Sequence, residues 1–218
     1  ENVGGLHKTE TGKRTTGSKI KWKPDNTVFS DINIPDIYFE EVLKRQAVVN
    51  PNVLFIFKNQ KDKGFETKEF FYEKGIVDYV EEICAGDNLT QIVSAGEEAS
   101  GKDRDDMPEY KVKMNVAFSF SNKVQKIEYY HNSSFLEYGG APEKAARSAV
   151  VSQIDAYLKQ NSKYTKNDPK ISFQDIEDCL VLVISSFSTQ TSYENQTKKA
   201  ITNKFIQDAL TEFIKHQL

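Results

Sequence analysis

The sequence predicts an α+β fold, and three stretches carry that prediction. Tyr110, Val112, Met114, Val116, Phe118 and Phe120 alternate without a break with Lys111, Lys113, Asn115, Ala117 and Ser119, the period of a half-buried strand with an apolar inner face. Ile201, Phe205, Ala209 and Phe213 recur every fourth residue, with Ile206, Leu210 and Ile214 beside them, and mark one face of an amphipathic helix. Between these, Cys179-Leu-Val-Leu-Val-Ile-Ser-Ser-Phe187 is short, apolar and β-branched, as a buried strand requires. Strands joined to helices that pack on one side define the class.

The other elements follow in chain order. Residues 1–14 are polar and rich in Gly and Lys, the composition of a loop or hairpin end. Lys19-Ile-Lys-Trp-Lys23 alternates and predicts a strand with Ile20 and Trp22 inward. Pro35 stands at a first helical position, and Phe39, Val42, Leu43 and Ala47 form the buried stripe of a helix that Asn50-Pro51 stops. Val53–Phe57 and Glu69–Tyr72 pair as strands across a polar turn around Lys61 to Gly64. Gly75 begins a short helix with Ile76, Val77, Val80 and Ile83 apolar, ending near Gly86. Gly96 to Pro108 is acidic, carries Gly and Ser and has little to bury, so a mobile surface loop is expected there. Ser121-Asn122-Lys123 turns the Tyr110–Phe120 strand into Val124–Tyr130 as an antiparallel hairpin. Pro142 opens a helix with Ala145, Ala146, Ala149, Val150, Ile154, Tyr157 and Leu158 on one face, and Lys163 to Lys170 is a polar loop. Ser172-Phe-Gln-Asp175 has the form of a capping box before a short helix.

Composition narrows the function classes. The 218 residues suffice for one large or two small domains. The 29 basic and 32 acidic residues leave a net charge of −3, so bulk charge does not advertise a nucleic-acid protein. The distribution is uneven: up to Glu109 there are 15 basic and 21 acidic residues, and from Tyr110 onward 14 and 11, a change from −6 to +3. The second half is therefore the better candidate for facing DNA. Cys84 and Cys179 lie in apolar contexts without metal-ligand spacing and are expected as free thiols. His7, His131 and His216 are scattered, so no metal site is indicated. No run approaches the ~20 apolar residues of a membrane span and no signal peptide is visible, which makes the cytoplasm the default. The chain opens at Glu1 without a methionine, as an excised fragment would.

Gln196-Thr197-Lys198-Lys199 stands between the apolar strand and the C-terminal helix, where a loop can project a lysine and an amide beyond the packed body. Taken alone, so short a motif is more often a solvated basic loop. Its company is informative: Thr15-Thr-Gly-Ser-Lys-Ile-Lys-Trp-Lys-Pro24, Phe70-Phe-Tyr-Glu-Lys-Gly-Ile-Val-Asp-Tyr-Val80, Gly139-Gly140 opening a helix and Gln196-Thr-Lys198 occur in one order. In that order the chain resembles the B subunit of bacterial type IIA DNA topoisomerases, meaning DNA gyrase or topoisomerase IV, over nearly its whole length.

The resemblance implies the C-terminal part of a GHKL-type ATPase domain, residues 1–89, followed by a transducer domain of ribosomal-protein-S5-domain-2-like fold, residues 90–218. It implies that Lys198 reaches the γ-phosphate of ATP as catalytic and sensor residue, with Gln196 as partner and Lys199 a solvated neighbour. It implies for Ser18, in Thr16-Gly17-Ser18, a hydroxyl that helps hold the adenine-binding carboxylate, and for Arg147 a place along the DNA cavity, with Lys144 and Lys159 as weaker candidates on the same helix. ATP and Mg²⁺ are the implied cofactors; the Mg²⁺-binding helix, the adenine motif and the Gly-rich lid precede Glu1 in the family, so the fragment alone is expected to be inactive. Double-stranded DNA, the topoisomerase A subunit and a second B subunit are the implied partners. Gly139-Gly140-Ala-Pro-Glu departs from the family's Gly-Gly-Thr-His and keeps the tight turn without the histidine. The alternative is a non-catalytic DNA- or partner-binding module on the same fold.

Overall fold

A computed structural model of the chain describes Gly5, Thr9, Glu10, Gly12 and residues 16–218. The chain divides into two units, Glu1–Pro35 and Asp36–Leu218. The expected loop over residues 1–14 lies largely outside the described residues. In the first unit the expected strand at Lys19–Lys23 is not formed, and Ile20 and Trp22 are 86% and 57% exposed. Alternation specifies which face a strand would bury, but a strand exists only where a neighbour completes its ladder. Further along this unit Asp25 Oδ1 accepts from Thr27 N–H at 2.8 Å and Asp25 O accepts from Phe29 N–H at 2.9 Å.

The second unit begins with α1 (Asp36–Val49), directly after Pro35. Ala47 and Val48 are its buried residues, while Val42, expected in the stripe, is 56% exposed. The hairpin β1 (Phe55–Lys61) and β2 (Gly64–Phe70) forms as expected, antiparallel from Phe55↔Phe70 to Lys61↔Gly64. Phe57 stacks on Phe39 of α1 with ring centroids 5.5 Å apart. Next comes α2 (Ile76–Cys84), capped by Gly75 and ended by Ala85 in the left-handed conformation.

A five-stranded sheet organises the remainder: β3 (Val93–Gly101), β4 (Tyr110–Phe120), β5 (Lys126–His131), β6 (Ser134–Phe135) and β7 (Leu180–Ser188), in the spatial order β3-β4-β7-β5-β6. β5 and β7 are parallel and the other pairs antiparallel. The helices between are α3 (Ala141–Gln160), α4 (Gln174–Glu177) and α5 (Lys204–Gln217).

The sheet overturns two expectations about its strands. β4 and β5 are not a hairpin, because β7 lies between them. Leu180, Val181, Leu182, Val183 and Ile184 are each at most 1% exposed. Successive residues buried on both faces can be satisfied only at the centre of a doubly covered sheet, so β7 displaces the locally closer strand. The stretch from Gly96 is also not a loop: β3 continues to Gly101 in unbroken register with β4, from Val93↔Phe118 to Gly101↔Tyr110. A ladder needs backbone groups and not apolar side chains, so an edge strand tolerates this composition. The connection is thereby cut to residues 102–109, and Asp103 ties it to α5: its carboxylate accepts from Tyr110 Oη (3.0 Å), Asn203 Nδ2 (2.8 Å) and Phe205 N–H (2.8 Å).

Helices cover both faces of the sheet and not the one side expected, because β4 and β7 present apolar residues to both faces. On one, Val112, Met114, Val116 and Phe118 of β4 meet Ala145, Ala146 and Ala149 of α3 and Ile206, Leu210 and Phe213 of α5. On the other, Ala117, Tyr130, Val181 and Val183 pack with Tyr79 and Val80 of α2 and Ala47 and Val48 of α1. Asp175 accepts from Ser172 N–H (2.8 Å) and Oγ (2.7 Å), half of the expected capping box. Cys84 and Cys179 are free, and burial pushes the Cys84 thiol pKa up.

Candidate functional site

After Ser188 the chain leaves the sheet and forms a closed loop before α5. Its stem is a bridge between Tyr193 and Ile201, with Glu194 N–H donating to Ala200 O (3.0 Å) and Thr202 N–H to Ser192 O (2.8 Å). At the tip, Asn195 Oδ1 accepts from Thr197 N–H (3.1 Å) and Thr197 Oγ1 (2.5 Å), a side-chain turn that suits Asn. Lys198 then takes the left-handed conformation, φ 57°, which costs a non-glycine residue about 1–2 kcal/mol. Gln196, Thr197 and Lys198 are exposed. Among the described residues Lys198 makes no ion pair, and its ammonium lies 5.5 Å from the centre of the Tyr193 ring. A cation held on an aromatic face without a carboxylate keeps its charge available to an anionic group.

Lys199 differs from expectation. It is half-buried, ion-paired to Glu137, and 5.3 Å from the Tyr138 ring centre, and the Glu137 carboxylate raises its pKa. It anchors the loop instead of extending it.

The returning arm of the loop is joined to the start of α3. Tyr138 N–H donates to Lys199 O (2.9 Å), Ala141 N–H donates to Ile201 O (2.8 Å), and Gly140 bridges Ile201. Gly139 and Gly140 have φ of 59° and 81°. A Cβ on Gly140 would lie 2.3 Å from Ile201 O, so close approach of two backbones requires glycine there. Pro142 is buried within the first turn of α3, where its missing N–H costs no helical bond.

Arg147 and Lys144 are on exposed positions of α3. The Arg147 guanidinium is already engaged: Nε is 2.9 Å from Glu143 Oε1, Nη2 is 3.9 Å from Glu177 Oε2, and Cζ is 4.4 Å from the Phe173 ring centre. These groups, with Lys126 and Tyr129, line a cleft of about 330 Å³ whose charges balance. A phosphate arriving at Arg147 would therefore compete with two carboxylates. Lys159 is paired to Asp155 at 2.8 Å and holds that carboxyl below its usual range. Ser18 is exposed in the first unit. The second unit thus brings together the Lys198 loop and the start of α3, and keeps Arg147 on the exposed flank of that helix.

Three participants were not anticipated: the Lys199–Glu137 pair, Asp103, which accepts from the first turn of α5, and His131, which is fully buried. Only His131 had a visible signal, a histidine closing the otherwise strand-like Ile127–Tyr130 run. Among the described residues no cluster of three or more His, Cys, Asp or Glu could hold a metal. Among the described residues no helix is long and apolar enough to cross a membrane.

A family model described as DNA gyrase B matches residues 75–218. The B subunit of DNA gyrase from Metamycoplasma arthritidis is 29% identical over 96% of this chain, and that from Mycoplasmoides gallisepticum 24% over 95%. The chain spans about one third of these relatives, 32% and 33% of their lengths. In fold it is similar to the 43K ATPase domain of Thermus thermophilus gyrase B, solved with an aminocoumarin: TM-score 0.60, 17% identity, covering 89% of this chain and 50% of that one. It is similar also to the topoisomerase IV ATP-binding domain of Francisella tularensis: TM-score 0.63, 21% identity, covering 88% and 49%. The α+β class expected from the sequence, the end of a GHKL-type ATPase domain followed by an S5-like transducer, is the fold of these proteins. By the family match and the relatives along almost its whole length, this chain belongs to the DNA gyrase B family.

Proposed function

We propose that the chain is the part of a type II DNA topoisomerase B subunit that couples ATP binding and hydrolysis to the passage of one DNA duplex through another. Residues 1–89 belong in this reading to the ATPase domain and residues 90–218 to the transducer. The reading rests on one observation above all: an exposed lysine without a carboxylate partner among the described residues, at the tip of a loop whose stem is bonded to the start of α3 and leads directly into α5. Lys198 is the catalytic residue that neutralises charge on the transferred γ-phosphoryl group, and Gln196 assists it. Phosphoryl transfer is catalysed largely by such positioning and electrostatics. The contact disappears when the γ-phosphate leaves, so the same lysine reports nucleotide state.

Ser18 supports adenine binding, Arg147 and Lys144 face the DNA phosphates, and Mg²⁺ is held by residues supplied elsewhere in the full-length protein. The A subunit, a second B subunit and double-stranded DNA are the partners, and the protein works in the cytoplasm. The test is Lys198→Ala in the assembled enzyme. Stability should change by less than about 0.5 kcal/mol, as for an exposed side chain. Hydrolysis should fall by roughly 10²-fold, comparable to deleting one preorganised electrostatic group, with a far smaller change in ATP affinity. Lys198→Arg should rescue poorly, because a planar fork differs in reach from a point charge. Hydrolysis near the wild-type rate in the alanine variant would overturn the catalytic assignment of Lys198 and leave Gln196–Lys198 a solvated turn.

A further inference from the structure

The outgoing arm of the Lys198 loop is held by a buried polar cluster that the proposed chemistry does not use. His131 ends β5 with no exposed surface. Its Nδ1 lies 2.8 Å from Ser186 Oγ, and its Nε2 lies 2.9 Å from Thr191 Oγ1 and 3.2 Å from Ser188 Oγ. Asn132, the next residue, grips the same segment three times. Its Nδ2 donates to Ser188 O (3.1 Å) and Thr191 Oγ1 (3.0 Å), and its Oδ1 accepts from Ser188 N–H (3.0 Å). Ser188 Oγ closes the turn on Gln190 O at 2.6 Å.

Chemistry explains why such a cluster is stable in the interior. Burial lowers the His131 pKa to about 4, so the ring is neutral at physiological pH, with one donor and one acceptor nitrogen. Each hydroxyl around it can donate or accept, so either tautomer is satisfied, and no buried side-chain polar atom among the described residues lacks a partner. A hydrophobic contact would hold position 191 near the sheet without fixing direction. Hydrogen bonds from two ring nitrogens and an amide fix both. The next residue, Ser192, already belongs to the loop stem, where its N–H donates to Asn203 Oδ1 at 2.7 Å.

We propose that His131, acting with Asn132 through Ser188 and Thr191, is a positioning residue for the Gln196–Lys198 loop: it sets the direction in which the chain leaves β7 and so where the loop tip stands. The functional consequence rests on the reading of Lys198 given above, but the anchor itself can be measured without nucleotide. The experiment is amide hydrogen exchange on the chain carrying His131→Ala or, separately, Thr191→Val, an isosteric change that removes the hydroxyl shared by His131 and Asn132. The stem amides of Ser192, Glu194 and Thr202 should exchange about tenfold faster or more, while amides in the middle of α3 keep their relative protection. Stem amides that stay as protected as in the wild type would overturn the proposal, as would an equal rise at every amide. If His131→Ala fails to fold, Thr191→Val decides alone. In the assembled enzyme the same variants should lower kcat for ATP about tenfold with KM within about twofold. A loosened stem with unchanged turnover counts against Lys198 as catalyst and leaves the anchor standing.

Discussion

Gly140→Ala tests the junction on which the site depends. Gly140 has φ 81° and ψ −127°, a region that residues with a side chain rarely enter and that costs about 1–3 kcal/mol when they do. Its new Cβ would stand 2.3 Å from Ile201 O and 2.8 Å from Ile201 N. Both are backbone atoms, so no side-chain rotation relieves the clash, and the Ile201 backbone must move by about 1 Å to restore ordinary contact. Ile201 is fully buried, and its carbonyl accepts from Ala141 N–H at 2.8 Å. Weakening that bond without water to replace it costs about 1–3 kcal/mol. The expected loss is therefore about 2–6 kcal/mol, a large part of the 5–15 kcal/mol typical of a folded domain. Gly86→Ala supplies the comparison: its φ is 86°, but a Cβ there meets nothing within 4 Å, so only backbone strain of about 1–2 kcal/mol is expected. Urea denaturation followed by circular dichroism measures both, provided the slope m is unchanged. A Gly140→Ala variant no less stable than Gly86→Ala would refute the claim that backbone contact between the loop and α3 demands glycine.

The remaining expectations are more local. Arg147→Gln in the assembled enzyme should reduce DNA-stimulated ATP hydrolysis and leave the DNA-free rate nearly intact; equal loss of both would make Arg147 a structural partner of Glu143 and Glu177. For His131, the unfolded chain takes up a proton near pH 6.5, whereas the folded chain does so only near pH 4. Stability should be full above pH 6.5 and fall as pH drops through that window, by up to about 3 kcal/mol. Denaturation midpoints between pH 7.5 and 4.5 measure this, and His131→Gln should flatten the slope. Asp103→Ala removes the acceptor that caps α5 from a distant loop and should cost about 1–2 kcal/mol in the same assay, since Phe205 N–H loses its partner. It should also make residues 102–109 the first site of limited proteolysis, while cleavage within β4 would contradict the strand assignment.

Elements whose character is local were legible from the amino acids alone. The β4 alternation, the β7 run and the α5 stripe each state which residues must leave water, and a core formed from them as expected. The Gly139-Gly140 turn was also legible, because few residues but glycine enter that backbone region. So was the presence of Lys198 on an exposed loop between β7 and α5. What the sequence misread depends on residues far apart in the chain. Whether β5 lies beside β4 or beyond β7 is decided by which strand needs two covered faces. Gly96 to Gly101 is a strand because β4 offers it a ladder, and Lys19 to Lys23 forms no strand for all its alternation. The role of Lys199 depends on Glu137, and that of His131 on hydroxyls 55 to 60 residues away. Hydrophobic periodicity is written into neighbouring residues, whereas hydrogen-bond and ion-pair partners are chosen by the folded chain, which is why the core could be read in advance and the partners of the site could not.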